Sequence, residues 1–92
     1  MLVVNYEKER VKIYLRSDVE SNITNITHES NEIQMLMSQI TQAMSGALSG
    51  VDNELIGKAQ QALQSLSQAL QSLYEARRLI DQLETREEVP DA

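Results

Sequence analysis

Two apolar stripes, each stepping by alternating fours and threes, constrain this chain more than anything else in it. The first runs Val19, Ile23, Ile26, Ser30, Ile33, Met37, Ile40, Met44, Ala47, Val51, and the second Leu55, Ala59, Ala62, Leu66, Ala69, Leu73, Ala76, Ile80, Leu83. A strand alternates with period two and cannot use that spacing. A helix can: at about 3.5 residues per turn all of these positions fall on one seam. Leu36, Ala43 and Leu48 widen the first stripe, and Ile56, Leu63, Leu70 and Leu79 flank the second. Residues 61–67 (QALQSLS) and 68–74 (QALQSLY) form a nearly perfect tandem heptad, in which small Ala lets backbones approach and Leu fills the space between them.

Punctuation sets the expected boundaries. Ser17-Asp18-Val19-Glu20 has the capping-box pattern and predicts a helix over 17–49. Gly50 is a helix stop and Asp52 or Asn53 a cap for the next helix, which predicts a turn over 50–54 and a second helix over 55–87. Arg77, Arg78 and Arg86 suit the negative end of that helix. Pro90 ends it, leaving 88–92 as a disordered acidic tail. Residues 1–16 make an N-terminal segment with four of the eight basic residues, Lys8, Arg10, Lys12 and Arg16. Within it Val11–Leu15 fits either a short extended stretch or an early helical turn. The fold class expected is all-α: an antiparallel two-helix hairpin. Because its stripes are wider than a two-helix seam needs, it is expected to pair into a four-helix bundle. A third helix from residues 2–16 covering the stripes is the intramolecular alternative.

Composition narrows the function. Of 92 residues three are aromatic, all Tyr (Tyr6, Tyr14, Tyr74), and only three Gly and one Pro interrupt the chain. A net charge of −6 disfavours nucleic acid, which needs clustered positive charge. No apolar run approaches the roughly 20 residues of a membrane span, and Met1–Val4 is too short for a signal-peptide core. The protein is expected in the cytoplasm, or exported by a route that cleaves no standard signal. The absence of Cys removes disulfide and thiolate chemistry.

No catalytic or metal constellation emerges, and no cofactor is expected. His28 is the sole histidine, and Glu29 and Glu32 beside it lack a second imidazole at ligand spacing. Gly46, Gly50 and Gly57 fit neither nucleotide-binding loop. Asn22-Ile23-Thr24 and Asn25-Ile26-Thr27 match glycosylation acceptors, but their place on a predicted helix reads as chance. The working surface is therefore the apolar seam itself, and the candidate partner-binding residues are Ile23, Ile26, Ile33, Met37, Ile40, Met44, Leu66, Leu70, Leu73 and Ile80.

Leu55-Ile56-Gly57-Lys58-Ala59, expected at the turn between the helices, resembles the Trp-x-Gly-x-Ala turn of the small WXG-type (Esx) proteins of type VII secretion systems, with Leu in place of Trp. Val11-Lys12-Ile13 resembles their opening, and the length and absence of Cys agree. The resemblance implies a hairpin that dimerises with itself or with a larger helical protein such as an LXG-type effector. Leu55, Gly57 and Ala59 would then form the turn motif, Gly57 allowing close backbone approach. The family's export signal is Tyr-x-x-x-Asp/Glu, yet Tyr74 is followed at that spacing by Arg78, and Tyr14…Asp18 matches it only ahead of the predicted first helix. These departures favour a companion or targeting factor over an autonomous substrate. The competing expectation is a coiled-coil adaptor or filament subunit that self-assembles through its heptads.

Overall fold

A computed structural model describes residues 1–43 and 49–91. The order is β1 (Leu2–Val4), α1 (Tyr6–Ala43), α2 (Gly50–Asp81) and β2 (Arg86–Glu88), with α1 and α2 packed along each other. This is the all-α antiparallel hairpin that the stripes predict.

The first helix starts at Tyr6 and not at Ser17, because Asn5 caps it. The Asn5 side-chain oxygen accepts the Lys8 amide at 3.1 Å, and Glu7 and Glu9 lie at the positive end of the helix dipole. Val11–Leu15 is therefore helical, and residues 6–16 extend α1 instead of folding back as a third helix. Ser17 sits mid-helix, and Glu20 bonds across the hairpin to Arg77. Met44, Gly46, Ala47 and Leu48 lie outside the described residues.

The capping box that does form is Ser49-Gly50-Val51-Asp52. The Ser49 hydroxyl accepts the Asp52 amide at 3.2 Å, and the Asp52 carboxylate accepts the Ser49 amide at 2.9 Å. Residues 50–54 are thus helical, and the turn expected there does not form. Hydrogen bonds from the Ser49 hydroxyl and then its amide hold the Asp52 carboxyl below its ordinary 3.8. A depressed folded value means the stabilisation is present above 3.8 and is lost as pH falls through the lowered value. Glu75 beside Arg78 and Glu84 beside Arg86 shift the same way. The thermal midpoint should therefore fall on acidification, and Asp52→Asn should make that fall shallower in a pH series followed by circular dichroism. An unchanged slope would count against the cap.

The second helix ends at Asp81, short of the expected 87. The chain turns through 82–85 and pairs β2 with β1 in antiparallel register, Leu2 opposite Glu88 and Val4 opposite Arg86. Residue 88 thus belongs to a strand, and the Val89 amide donates to the Met1 carbonyl at 3.0 Å, in place of a tail loose from residue 88. The Asn5 amide donates to the Thr85 carbonyl at 2.8 Å, and its side-chain amide donates to Glu87 at 2.8 Å. Asn5 therefore caps α1 and ties it to the ribbon.

The molecule is a rod of 79 × 15 × 13 Å with a radius of gyration of 21.7 Å, against about 12 Å for a compact domain of this length. Its accessible surface is 7003 Å², against about 5,400 Å² for a compact monomer of this mass. Among the described residues only Ile23 and Thr85 are buried, each 8% exposed.

Candidate pairing surface

The interhelical seam divides into two chemically different halves. From Ile23 toward the loop it is apolar. Ile23 is buried, Ile26, Ile33, Met37 and Ile40 are half-buried on α1, and Ile56, Leu63, Leu66, Leu70 and Leu73 are half-buried on α2, with Ile80 half-buried nearer the termini. The nine described residues of the predicted partner-binding seam are thus largely occupied by the chain's own other helix; the tenth, Met44, is not among them. On α2 the predicted stripe is half-buried at Ala59, Leu66, Ala69, Leu73, Ala76 and Ile80, as is Leu83 just beyond the helix, and exposed at Leu55 and Ala62. The flanking Ile56, Leu63 and Leu70 are half-buried beside it; leucine buries more apolar area than alanine, so they widen the inward face.

Toward the termini charged and polar groups join the seam around half-buried Val19, Ile80 and Leu83. Glu20 accepts from Arg77 at 3.0 Å, Arg16 lies 3.5 Å from Asp81, and the Lys12 ammonium donates to the Leu83 carbonyl at 3.0 Å. Arg77 also lies over the Tyr74 ring, 5.1 Å from its centroid. Arg77 occupies a seam position, four residues after Leu73, and its pairing with Glu20 sets which turn of α1 meets which turn of α2. An Arg77→Leu variant keeps the bulk and removes the partner of Glu20, which is exposed enough to hydrate. Its midpoint should move by no more than a few degrees, since partly exposed pairs contribute about 1 kcal/mol or less.

The outer surface at this terminal end is the reverse of the usual arrangement. Its charged groups Lys8, Glu9, Lys12 and Glu20 are half-buried, while Tyr6, Val11, Ile13, Tyr14 and Leu15 are exposed, Tyr6 to 81% and Tyr14 to 64%. At the loop end Met35, Leu36, Val51, Leu55 and, further along α2, Leu79 are also exposed. Ile33, Leu36, Met37, Ile40, Leu55, Ile56 and Ala59 line an apolar groove of about 210 Å³ there. That is below the usual size of a small-molecule site and suited to one or two side chains. A wider, shallow concavity of about 520 Å³ beside it is lined by Gln34, Met37, Ser38, Thr41 and Gln42.

A signal that apolar periodicity does not register is where charge is absent. Residues 33–51 and 59–74 contain no Asp, Glu, Lys or Arg. At the chain's 24% charged content, roughly eight would fall there. Interface cores are likewise depleted of charge and enriched in Met and Tyr; here the two stretches join seam positions to uncharged Gln, Ser and Thr on the outside.

The predicted turn motif is placed differently. Leu55, Gly57 and Ala59 lie within α2, beyond its first turn. Gly57 is helical, with nothing within 4 Å of where a Cβ would sit, so it permits no close backbone approach inside the hairpin. Gly57→Ala should raise stability by about 0.5–1 kcal/mol in the isolated chain, measurable by urea titration; destabilisation would show that the glycine backbone is needed. Tyr14…Asp18 lies inside α1. His28 is exposed, 3.6 Å from Glu32, and among the described residues no group of His, Asp and Glu side chains could hold a metal. No helix there is long and apolar enough to cross a membrane. Neither a known family, nor a curated protein, nor a solved structure matches the chain.

Proposed function

We propose that this chain is a non-enzymatic helical pairing partner, acting as a companion or targeting factor, or as a small substrate, in a type VII-like secretion pathway. The observation that carries the pairing is surface. The rod exposes about 1,600 Å² more than a compact monomer of its mass would, and its exposed apolar side chains lie at both ends. Such an excess is what a helix pair presents before a second pair covers it. The secretion context rests on the hairpin itself and on a likeness of sequence at Leu55-x-Gly57-x-Ala59, which lies within α2 and not at a turn. The lack of a Tyr-x-x-x-acid pattern at Tyr74 favours the companion role.

The test is genetic and biochemical. In the native host, removing this chain should stop export of a neighbour-encoded helical effector, and restoring it should rescue export. Co-expressed with the helical N-terminal region of that effector, it should yield one defined complex by light scattering. Undiminished export without the chain overturns the secretion reading. Steady elongation with concentration would replace it with the filament reading.

A further inference from the structure

One sequence signal is left idle by the fold. Ser17-Asp18-Val19-Glu20 has the spacing of a capping box, yet Ser17 lies exposed inside α1 and the Glu20 carboxylate accepts from Arg77 at 3.0 Å. We propose that α1 has two starting points. In the closed form it begins behind the Asn5 cap. When the β1–β2 ribbon opens it retreats to Ser17, which caps the shortened helix while residues 1–16 come away as one arm.

Three observations carry this. The first is where apolar burial begins. Every apolar side chain from Tyr6 to Leu15 is exposed, and the half-buried positions among them belong to Lys8, Glu9 and Lys12. From Val19 onward the apolar seam holds α1, through half-buried Val19, buried Ile23 and half-buried Ile26. The break between the two regimes falls at Ser17. The second is what holds the arm. Besides the strand pairing, the Asn5 amide donates to the Thr85 carbonyl at 2.8 Å, the Lys12 ammonium donates to the Leu83 carbonyl at 3.0 Å, and Arg16 lies 3.5 Å from Asp81. All of these are polar ties to residues 81–88, each of modest strength, so the arm is released when that one stretch parts from it.

The third is the box itself. A helix shortened from its N-terminus presents a new set of unpaired amides. A start at Ser17 answers them at once. The Ser17 hydroxyl accepts from the Glu20 amide, and Glu20, exchanging Arg77 for the Ser17 amide, closes the box; Asp18 and Glu20 then lie at the positive end of the dipole. Among residues 5–30 only Ser17 is a cap-forming residue with Glu or Gln three places on. The arm thus opens without unravelling the apolar hairpin behind it.

Hydrogen exchange of the full chain, resolved amide by amide by NMR, tests this. Amides of residues 10–19 should share one opening constant. Those from Ser21 on, whose helical acceptors begin with the Ser17 carbonyl, should be protected at least about tenfold better. Ser, Val and Asn have similar intrinsic helix propensities, but of the three only Ser and Asn cap well. Ser17→Val should therefore slow the opening about fivefold, and Ser17→Asn should leave it within about twofold of the parent. Ser17 is exposed, so both variants should keep the parent's helicity by circular dichroism. Asn5→Ala weakens the closed start instead, and should speed the opening about fivefold with the boundary still at Ser17. Protection that rises gradually from residue 10 to residue 26, a shared boundary elsewhere, a Ser17→Val chain that opens as readily as the parent, a Ser17→Asn chain slowed as much as Ser17→Val, or an Asn5→Ala chain that opens no faster each overturns the proposal.

Discussion

A Leu66→Asp/Leu73→Asp double variant should lose most of its helical circular-dichroism signal at 25 °C. Both leucines are half-buried against α1 in the apolar half of the seam. Truncating a fully buried leucine costs about 2–5 kcal/mol, so half-burial brings each site to about 1–2 kcal/mol. The carboxylate at 66 adds a desolvation cost of similar size with no cation within seven residues of it on α2, whereas the one at 73 has Arg77 four residues on and costs less. The sum of about 3–6 kcal/mol approaches the whole stability of a domain of this length. The seam is internal, so the loss should be of folding and not only of association. Retained helicity with a midpoint within about 5 °C of the parent would show that the two helices do not depend on this face.

Truncation after Asp81 should leave α2 helical but release the first third of α1. It removes the β1–β2 ladder, the Asn5-to-Thr85 bond and the Leu83 carbonyl that Lys12 binds. Several hydrogen bonds at a net 0.5–1.5 kcal/mol each amount to about 2–5 kcal/mol locally. That suffices to fray a helix end whose own half-buried side chains, Lys8, Glu9 and Lys12, are charged. Trypsin should then cut at Lys8, Arg10, Lys12 and Arg16 at least tenfold faster than in the full chain, while cleavage at Lys58 changes little. Equal protection at both ends would mean that α1 holds its own N-terminus without the ribbon.

The hairpin was legible because the 4–3 spacing of Ile and Leu admits one secondary structure and one face. How far that face extends on α2 was less so: Ile56, Leu63 and Leu70 flank the stripe and are half-buried with it while Leu55 and Ala62 are exposed, and only packing against α1 selects among them. Capping was ambiguous for a related reason. Ser17-Asp18-Val19-Glu20 and Ser49-Gly50-Val51-Asp52 both carry a hydroxyl and an acid at box spacing. The first, though, lies within a chain already helical from the Asn5 cap. A box stops nothing upstream if the backbone before it is content to be helical. The ribbon was hidden because Arg86-Glu87-Glu88 has no strand character of its own. It pairs because α1 and α2 deliver Leu2–Val4 alongside it, a contact spanning over eighty residues. The absence of charge on the outside of the hairpin, around the exposed Gln39, Gln64 and Gln68, is also written in the sequence, but apolar periodicity does not register it.

The antiparallel ribbon has a mechanical consequence. The strand ends at Met1 and Val89 meet at the outer tip of the rod. A force drawing the two apart loads the ladder one rung at a time, as in an opening zipper, and never shears all rungs together. After the ribbon come the exposed ion pairs of the polar seam, and the apolar layers last. Threaded from either end through a narrow passage, this polypeptide would surrender its structure progressively at low tension.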